Sequence, residues 1–378
     1  MSQVAVAWAI VAATLAPSAD APIDPRSEYL SVDGRQLYYE SCGSGPAIVL
    51  LHDGLLHSVL WDSIWPALCL DYHVVRYDRR GFGRSDPATA PFSPEDDLLR
   101  VIDATGIKRA ILVGASSGSA VAIDFAVAHP ERVEALVLIG PVVHGMRSSD
   151  AFLRRGDANN APLASGNIDA TAANWAQDPY EVYGPRPEAR QKIHDILVAS
   201  PHNLTGSGAP EIRPTPPTVM RLSTIQTPTL LIVGEHDIAD VHAFSGALQA
   251  ALPVVRREVW PDTGHLTPLE DPEGLTRRIK TFASVVERTT VTVATATLAR
   301  YAGRYRVGNS PATVAVKQGR LILQLNGDAD VPLFAVSGSE FLVRTTGTAV
   351  SFERQGTARA TAMIITNAGA NPVRCPRI

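Results

Sequence analysis

The stretch ILVGASSGSA (Ile111–Ala120) runs from an apolar segment, through two glycines that bracket a pair of serines, into a segment of small residues. Read as a strand that turns into a helix, it puts Ser116 at a sharp reversal of the chain. Gly114-Ala115-Ser116-Ser117-Gly118 has the form Gly-x-Ser-x-Gly. At such a reversal the residues two positions either side of the serine pack tightly and must be small. The turn lifts the hydroxyl above the C-terminal edge of a sheet. It also leaves the Ser117 N–H at a helix start, facing the place where an oxyanion would form. Taken alone the pattern also fits an ordinary Gly/Ser turn, so its meaning depends on the surrounding sequence.

That context is an alternation of strands and helices. YLSVDG and RQLYYES flank Asp33-Gly34, an Asp-Gly hairpin signal. AIVLLHDG is a continuous apolar run of the kind found in strands buried on both faces. YHVVRYDRRGFGRSD repeats the design, a strand entering a Gly-rich loop. After RAILVGAS, SAVAIDFAVAHP reads as a helix stopped by Pro130, and VEALVLIGP as the next strand. Strands alternating with helices argue for a parallel α/β sheet. Residues 142–223 are polar and rich in Pro, Gly and Asn, with YGPRPEARQKIHDILVAS as one clear helix, and read as an insertion. The sheet pattern resumes at TPTLLIVGEHD and VVRREVWPDTGH, and a helix over about Pro272–Val286 follows. After Glu287 the chain becomes Thr/Val-rich, with Gly turns and alternating stretches such as TVAVKQGRLILQL. This reads as a small antiparallel sheet or barrel with its boundary near Arg288.

A serine hydroxyl needs a general base, and the base an orienting acid. Both must stand at the ends of later strands. LLIVGEHD delivers Glu235, His236 and Asp237, and VWPDTGHLTPLEDP delivers Asp262 and His265. The order Ser116, Asp237, His265 suits a nucleophile, an acid and a base on successive strand ends. Glu235 and Asp240 are the alternative acids. His129 reads as a helix cap, while His194 and His202 lie in the insertion. In LLHDGLLHS the turn after His52 can offer a backbone N–H to the oxyanion: Gly54 is the first choice and Leu55 the second. His52 and Asp53 read as supports of that turn. In DRRGFGRSD, Asp78 with Arg79 and Arg80 reads as a tie between strand ends, since no Walker sequence supports a phosphate cradle.

Composition narrows the function further. The 378 residues carry 34 basic and 38 acidic side chains, a net charge of −4, which gives no basic excess for nucleic acid or an anionic membrane. Cys42, Cys69 and Cys375 are too few and too scattered for a disulfide framework, and no zinc-type Cys/His spacing appears. They read as buried thiols, with a Cys42–Cys69 bridge as the alternative. VAVAWAIVAATLAP, followed by Ala19-Asp20-Ala21, has the length of a signal-peptide core, although no Lys or Arg precedes it and Pro22 follows the cleavage-like site. Residues 1–26 therefore read as a leader or signal peptide, the location as secreted or periplasmic if it is cleaved and cytoplasmic if not. Nothing else is long and apolar enough to cross a bilayer.

Together these motifs resemble the α/β-hydrolase fold family over about Glu28–Val286. LLHDG looks like its oxyanion turn, YDRRGFGRSD its strand-4 loop, VGASSGS its nucleophile elbow, GEHD its acid turn and DTGHLTPLEDP its histidine loop. HDG stands where many members have His-Gly. The resemblance implies an α/β-hydrolase domain at 27–287 with a mostly parallel sheet, a helical cap over about 142–223 and a small all-β C-terminal domain at 288–378. It implies catalytic Ser116, Asp237 and His265, with Gly54 and Ser117 N–H groups as the oxyanion hole and no cofactor or metal. Dehalogenases and epoxide hydrolases carry Asp at the elbow, where this chain has Ser116. Proline iminopeptidases typically carry Trp after the serine, where this chain has Ser117. The implied activity is hydrolysis of a small, apolar carboxylic ester or lactone, falling as pH drops through an ordinary histidine pKa of roughly 6–7. The alternatives are an iminopeptidase, which an acidic pair in the cap would favour (the cap carries Asp178, Glu181 and Glu188), and a non-catalytic small-ligand binder. LARYAGRYRV (Leu298–Val307) is similar to the β-barrel appendage of some β-lactamase-like esterases.

Overall fold

In the structure, a computed structural model, residues 25–287, 290–327, 330–367 and 370–378 are described. The reading of residues 1–26 as a leader lies outside the described residues except at its last two positions, and the boundary residue Arg288 lies outside them too.

Eight strands form the first sheet: β1 (Arg26–Val32), β2 (Arg35–Cys42), β3 (Ala47–Leu51), β4 (His73–Tyr77), β5 (Ala110–Ala115), β6 (Val133–Ile139), β7 (Thr229–Gly234) and β8 (Val255–Trp260), in the order β1-β2-β4-β3-β5-β6-β7-β8. β1 and β2 pair antiparallel around Asp33 and Gly34. Both turn residues have positive φ, at 52° and 74°, as the two-residue turn of a right-twisted hairpin demands. β2 meets β4 antiparallel, and every pairing from β4 through β3 to β8 is parallel. The continuous apolar runs are explained by the layers. Ile48 and Leu50 of β3 face one core, Val49 and Leu51 the other. Helices α1 (Trp65–Cys69) and α9 (Pro272–Val286) cover the first face. Helices α2 (Pro94–Ala104), α3 (Ser117–Ala128) and α7 (Ala239–Ala251) cover the second. Between β8 and α9 lies the short α8 (Thr267–Glu270).

Between β6 and β7 the chain inserts three helices: α4 (Asp150–Asn160), α5 (Ile168–Gln177) and α6 (Pro187–Ala199). The sequence reading saw α6 alone. DAFLRRGDANN of α4 buries no residue fully, and α5 buries only small ones, Thr171, Ala172 and Ala176. Neither therefore shows a strong apolar period. Their caps are plain in hindsight: Ser149 accepts from the Phe152 N–H, and Asn167 from the Ala170 N–H.

Beyond α9, helix α10 (Thr295–Tyr301) precedes a second sheet of eight strands, β9 (Gly303–Val307), β10 (Ser310–Lys317), β11 (Arg320–Leu325), β12 (Val331–Ala335), β13 (Glu340–Val343), β14 (Thr348–Glu353), β15 (Ala362–Thr366) and β16 (Val373–Pro376). They lie in chain order and all pair antiparallel. The ring nearly closes: Tyr305 bridges to Arg377, and the Ile378 N–H donates to the Arg304 carbonyl at 2.9 Å. Tyr301, Tyr305, Phe341 and Phe352 fill its interior. The small barrel agrees with the sequence reading. Helix α10 does not, because its Thr-rich stretch carries strand-like residues and is turned helical by Leu298 and Tyr301 docking into the barrel.

The cysteines take the alternative arrangement. Cys42, at the end of β2, is bonded to Cys69, at the end of α1, with Cα atoms 5.5 Å apart, and Cys375 is a buried free thiol. The bridge closes a loop across 27 residues, which restricts the unfolded chain by about 3–4 kcal/mol. Replacing both residues by Ser is expected to lower the unfolding free energy by about that amount. Urea unfolding with and without reductant, on the parent and the double variant, checks this: reductant should weaken only the parent.

Candidate active site

β5 ends at Ala115 and α3 begins at Ser117, so the reversal falls on Ser116 alone, with φ 51° and ψ −118°. A non-glycine residue at that φ costs about 1–3 kcal/mol unless its surroundings enforce it. They do. A Cβ on Gly114 would lie 2.6 Å from the Gly118 carbonyl oxygen, and one on Gly118 would run into the carbonyls of Leu51 and His52 at the end of β3. The Ser116 N–H donates to Ile139 O at 2.8 Å, its carbonyl accepts from the Ser119 N–H at 2.9 Å, and the Ser119 hydroxyl donates to Gly114 O at 2.7 Å. Ser116 itself remains half-exposed at the mouth of this turn.

The acid and the imidazole meet two and three strands away. Asp237 follows β7 and His265 follows β8. His265 Nδ1 lies 2.9 Å from Asp237 Oδ2, while Oδ1 accepts from the Ile238 N–H at 2.7 Å. The Asp237 side chain is fully buried. The alternative acids are engaged elsewhere. Glu235 is exposed and receives the Asp262 N–H at 3.4 Å, and Asp240 is tied to the Ser149 N–H and hydroxyl at the start of α4. Gly140, after β6, sits between the serine turn and this pair. Its φ is 51°, and a Cβ there would lie 2.8 Å from His265 Nδ1 and 3.3 Å from Asp237 Oδ2. No hydrogen bond joins the Ser116 hydroxyl to His265 among the described residues.

Burial alone would push the His265 imidazole down. It is outweighed by the adjacent Asp237 charge and hydrogen bond and by Glu181, which together raise its pKa to about 9. The ordinary histidine range expected from sequence is thus displaced upward, because two carboxylates favour the imidazolium.

The turn after β3 is locked from below. The Asp53 carboxylate accepts the Leu55 N–H at 3.2 Å and the Leu56 N–H at 3.0 Å. Leu55 is thereby occupied, whereas the N–H groups of Gly54 and Ser117 make no hydrogen bond among the described residues. Arg79 Nη2 donates to the Asp53 carbonyl and, at 2.8 Å, to the Ser117 hydroxyl, so it joins this turn to the elbow. His52 Nε2 accepts from the Arg79 N–H at 2.9 Å, which leaves Nδ1 as donor to the Asp53 carbonyl at 2.7 Å. Asp78 is buried and receives the N–H groups of Ser58 and Arg84, and Arg80 forms a two-pronged pair with Asp97 at 2.6 and 2.8 Å. Sequence reasoning missed Gly140, which stands in no motif, and the direct reach of Arg79 to Ser117.

The helical insertion comes down on the histidine loop. The His265 N–H donates to the Tyr180 carbonyl at 2.7 Å and the Leu266 N–H to the Glu181 carbonyl at 2.9 Å. The Glu270 carboxylate receives the N–H groups of Tyr183 and Gly264. A concavity of about 680 Å3 lies on the insertion, between α5 and α6, lined by Arg186, Arg190 and His194 among others. The guanidinium groups of Arg186 and Arg190 are spent on backbone carbonyls. Among the described residues, Glu235, His236 and Asp262 bring ligand atoms within 4.8 Å of one another, but the acids are exposed and His236 is stacked on Tyr183. No helix among the described residues is long and apolar enough to cross a membrane.

A family model described as alpha/beta hydrolase fold matches residues 46–272, ending before the second sheet begins. The RutD protein of Caulobacter sp. (strain K31), provisionally assigned as a carbamate hydrolase, is 30% identical over 271 residues, which cover 67% of this chain and 97% of that one. Carboxylesterase YbfK of Bacillus subtilis (strain 168) is 26% identical over 289 residues, 69% of this chain and 88% of that one. The solved structure of Est816, described as an N-acyl homoserine lactone degrading enzyme, superposes with a TM-score of 0.55 at 26% identity, covering 68% of this chain and 100% of that one.

Substituting Gly140→Ala should force the imidazole and the Asp237 carboxylate apart. The expected outcome is loss of the downfield NMR resonance of the His265 Nδ1 proton, with thermal stability reduced by about 1–3 kcal/mol. A retained resonance would show that the pair does not depend on this gap.

Proposed function

The chain belongs to the alpha/beta hydrolase fold family and is a hydrolase, and we propose that it is a serine hydrolase that cleaves a small carboxylic ester or lactone through an acyl-enzyme. The observation that carries this reading is the strained Ser116 turn at the same sheet edge as the Asp237–His265 pair. The names of the relatives, a carboxylesterase and a lactone-degrading enzyme among them, support the same class of bond. In this reading residues 27–287 form the hydrolase domain, residues 142–223 its cap, and residues 288–378 a separate β domain.

Asp237 accepts a hydrogen bond from the Nδ1–H of His265, which leaves Nε2 free as the base. Nε2 takes the Ser116 proton as the oxygen attacks the carbonyl carbon, whose π electrons move onto its oxygen. The N–H groups of Ser117 and Gly54 receive that oxyanion, each worth about 3 kcal/mol of barrier. The intermediate collapses and expels the alcohol, which leaves with the proton from Nε2. Water, deprotonated by His265, then attacks the acyl-serine; collapse returns that proton to Ser116 and releases the carboxylic acid, which gives its remaining proton to solvent. A lactone follows the same steps with its alcohol still tethered.

A fluorophosphonate probe should label the protein covalently, and Ser116→Ala should abolish labelling while cutting turnover of short-chain esters by about three to six orders of magnitude. Wild-type turnover in that variant would overturn the assignment. The pH profile follows from the raised His265 pKa. Only the neutral ring acts as base, so kcat/KM should climb with pH and reach half its plateau near 9, well above the ordinary 6.5. Since the Glu181 charge favours the imidazolium, Glu181→Gln should move that midpoint downward. A stopped-flow profile from pH 6 to 10.5 on both proteins reads the two values.

A further inference from the structure

Arg79 is 8% exposed, yet its guanidinium forms no ion pair among the described residues. Both hydrogens of its Nη2 are committed, one to the Asp53 carbonyl and one, at 2.8 Å, to the Ser117 hydroxyl. The Phe82 ring lies 5.1 Å from its Cζ, and its Nε is buried without a hydrogen-bond partner among the described residues. Asp53, whose carboxylate feels the Arg79 charge, spends its oxygens on the Leu55 and Leu56 N–H groups. A buried cation bonded only to neutral groups is under-compensated.

A guanidinium can only donate hydrogen bonds. The Ser117 oxygen is therefore the acceptor toward Arg79, and its own proton points elsewhere. That proton has no acceptor among the described residues, and Ser117 is half-exposed at the mouth of the turn. The oxygen stands against Gly54, since a Cβ on Gly54 would lie 3.1 Å from Ser117 Oγ. The hydroxyl thus adjoins both residues whose N–H groups are unspent. As a plain staple between elbow and turn, Ser117 would need only its oxygen, and neither the free proton nor the unpaired guanidinium would follow. An anion formed beside this hydroxyl supplies the acceptor and the counter-charge together. A hydroxyl that accepts from a cation is also polarised into a stronger donor.

We propose that the Ser117 side-chain hydroxyl is a third donor to the oxyanion, beside the N–H groups of Ser117 and Gly54, and that Arg79 is a positioning residue that fixes the hydroxyl oxygen and polarises its O–H. The hydroxyl keeps its proton throughout: a hydrogen bond forms to the carbonyl oxygen as that oxygen becomes negative, and no bond to hydrogen breaks. This rests on the acyl-enzyme reading above.

Propyl trifluoromethyl ketone is the probe that tests it on the full chain. Attack by Ser116 turns its carbonyl oxygen into an oxyanion, whereas the corresponding secondary alcohol forms none. Both are used as inhibitors of p-nitrophenyl butanoate hydrolysis at pH 10. Ser117→Ala should raise the ketone Ki and lower kcat/KM alike, by about 100-fold, and leave the alcohol Ki within about twofold of the wild type. Arg79→Met should raise the ketone Ki by about tenfold with Ser117 in place and by less than about twofold in Ser117→Ala, because the guanidinium acts through the hydroxyl. A ketone Ki unchanged in Ser117→Ala, equal weakening of ketone and alcohol, or the same Arg79→Met effect in both backgrounds would overturn the proposal. Ser117→Ala removes one oxygen and is a sufficient test by itself should Arg79→Met fail to fold. Fluorophosphonate labelling separates the two claims. A labelled wild type with an unchanged ketone Ki in Ser117→Ala sinks the third donor alone, whereas a wild type that resists the fluorophosphonate sinks the acyl-enzyme reading.

Discussion

The reversal at Ser116 is held by backbone pressed against backbone. Helix α3 starts so close to the end of β3 that Gly118 leaves no room for a single carbon beyond its Cα, and Gly114 is crowded by the same turn of helix. This contact makes the serine adopt a positive φ, sets the helix N-terminus over the sheet edge and leaves the Ser117 N–H unspent. The turn after β3 depends on it as well, because Arg79 reaches Ser117 and the Asp53 carbonyl together only while elbow and turn are adjacent. The geometry of the candidate site on that side follows from two missing side chains.

Opposite the serine the organising constraint is electrostatic. Asp237 is sealed from solvent and satisfied by one backbone N–H and one imidazole. Asp53, also buried, spends its oxygens on the turn that carries Gly54. The charges of Asp237 and Glu181 beside the imidazole outweigh its burial, which is why its proton affinity lies above that of a solvated histidine.

Legibility in the sequence followed the strength of local signals. Buried parallel strands, the Asp-Gly hairpin, the elbow and α9 were plain because apolar runs and turn residues coincide there. Helices α4 and α5 were not, since they bury little and carry Ala, Asn and Gly in place of an apolar stripe. Helix α10 was hidden in a Thr-rich stretch that only its docking into the barrel makes helical. In the candidate site, residues lying in motifs at strand ends could be named in advance. The placement of Glu181 could not, because it depends on how an insertion folds back over a loop more than 80 residues later in the chain. The Cys42–Cys69 pairing was undecidable for a similar reason: 27 residues of separation do not reveal that a strand end and a helix end are neighbours.

The two backbone bonds from His265 and Leu266 to Tyr180 and Glu181 have a mechanical meaning. The helical insertion shares main-chain bonds with the very loop that carries the imidazole. An outward swing of this part of the insertion must first unpair that loop. The position of this part of the insertion and the position of the imidazole are therefore set together.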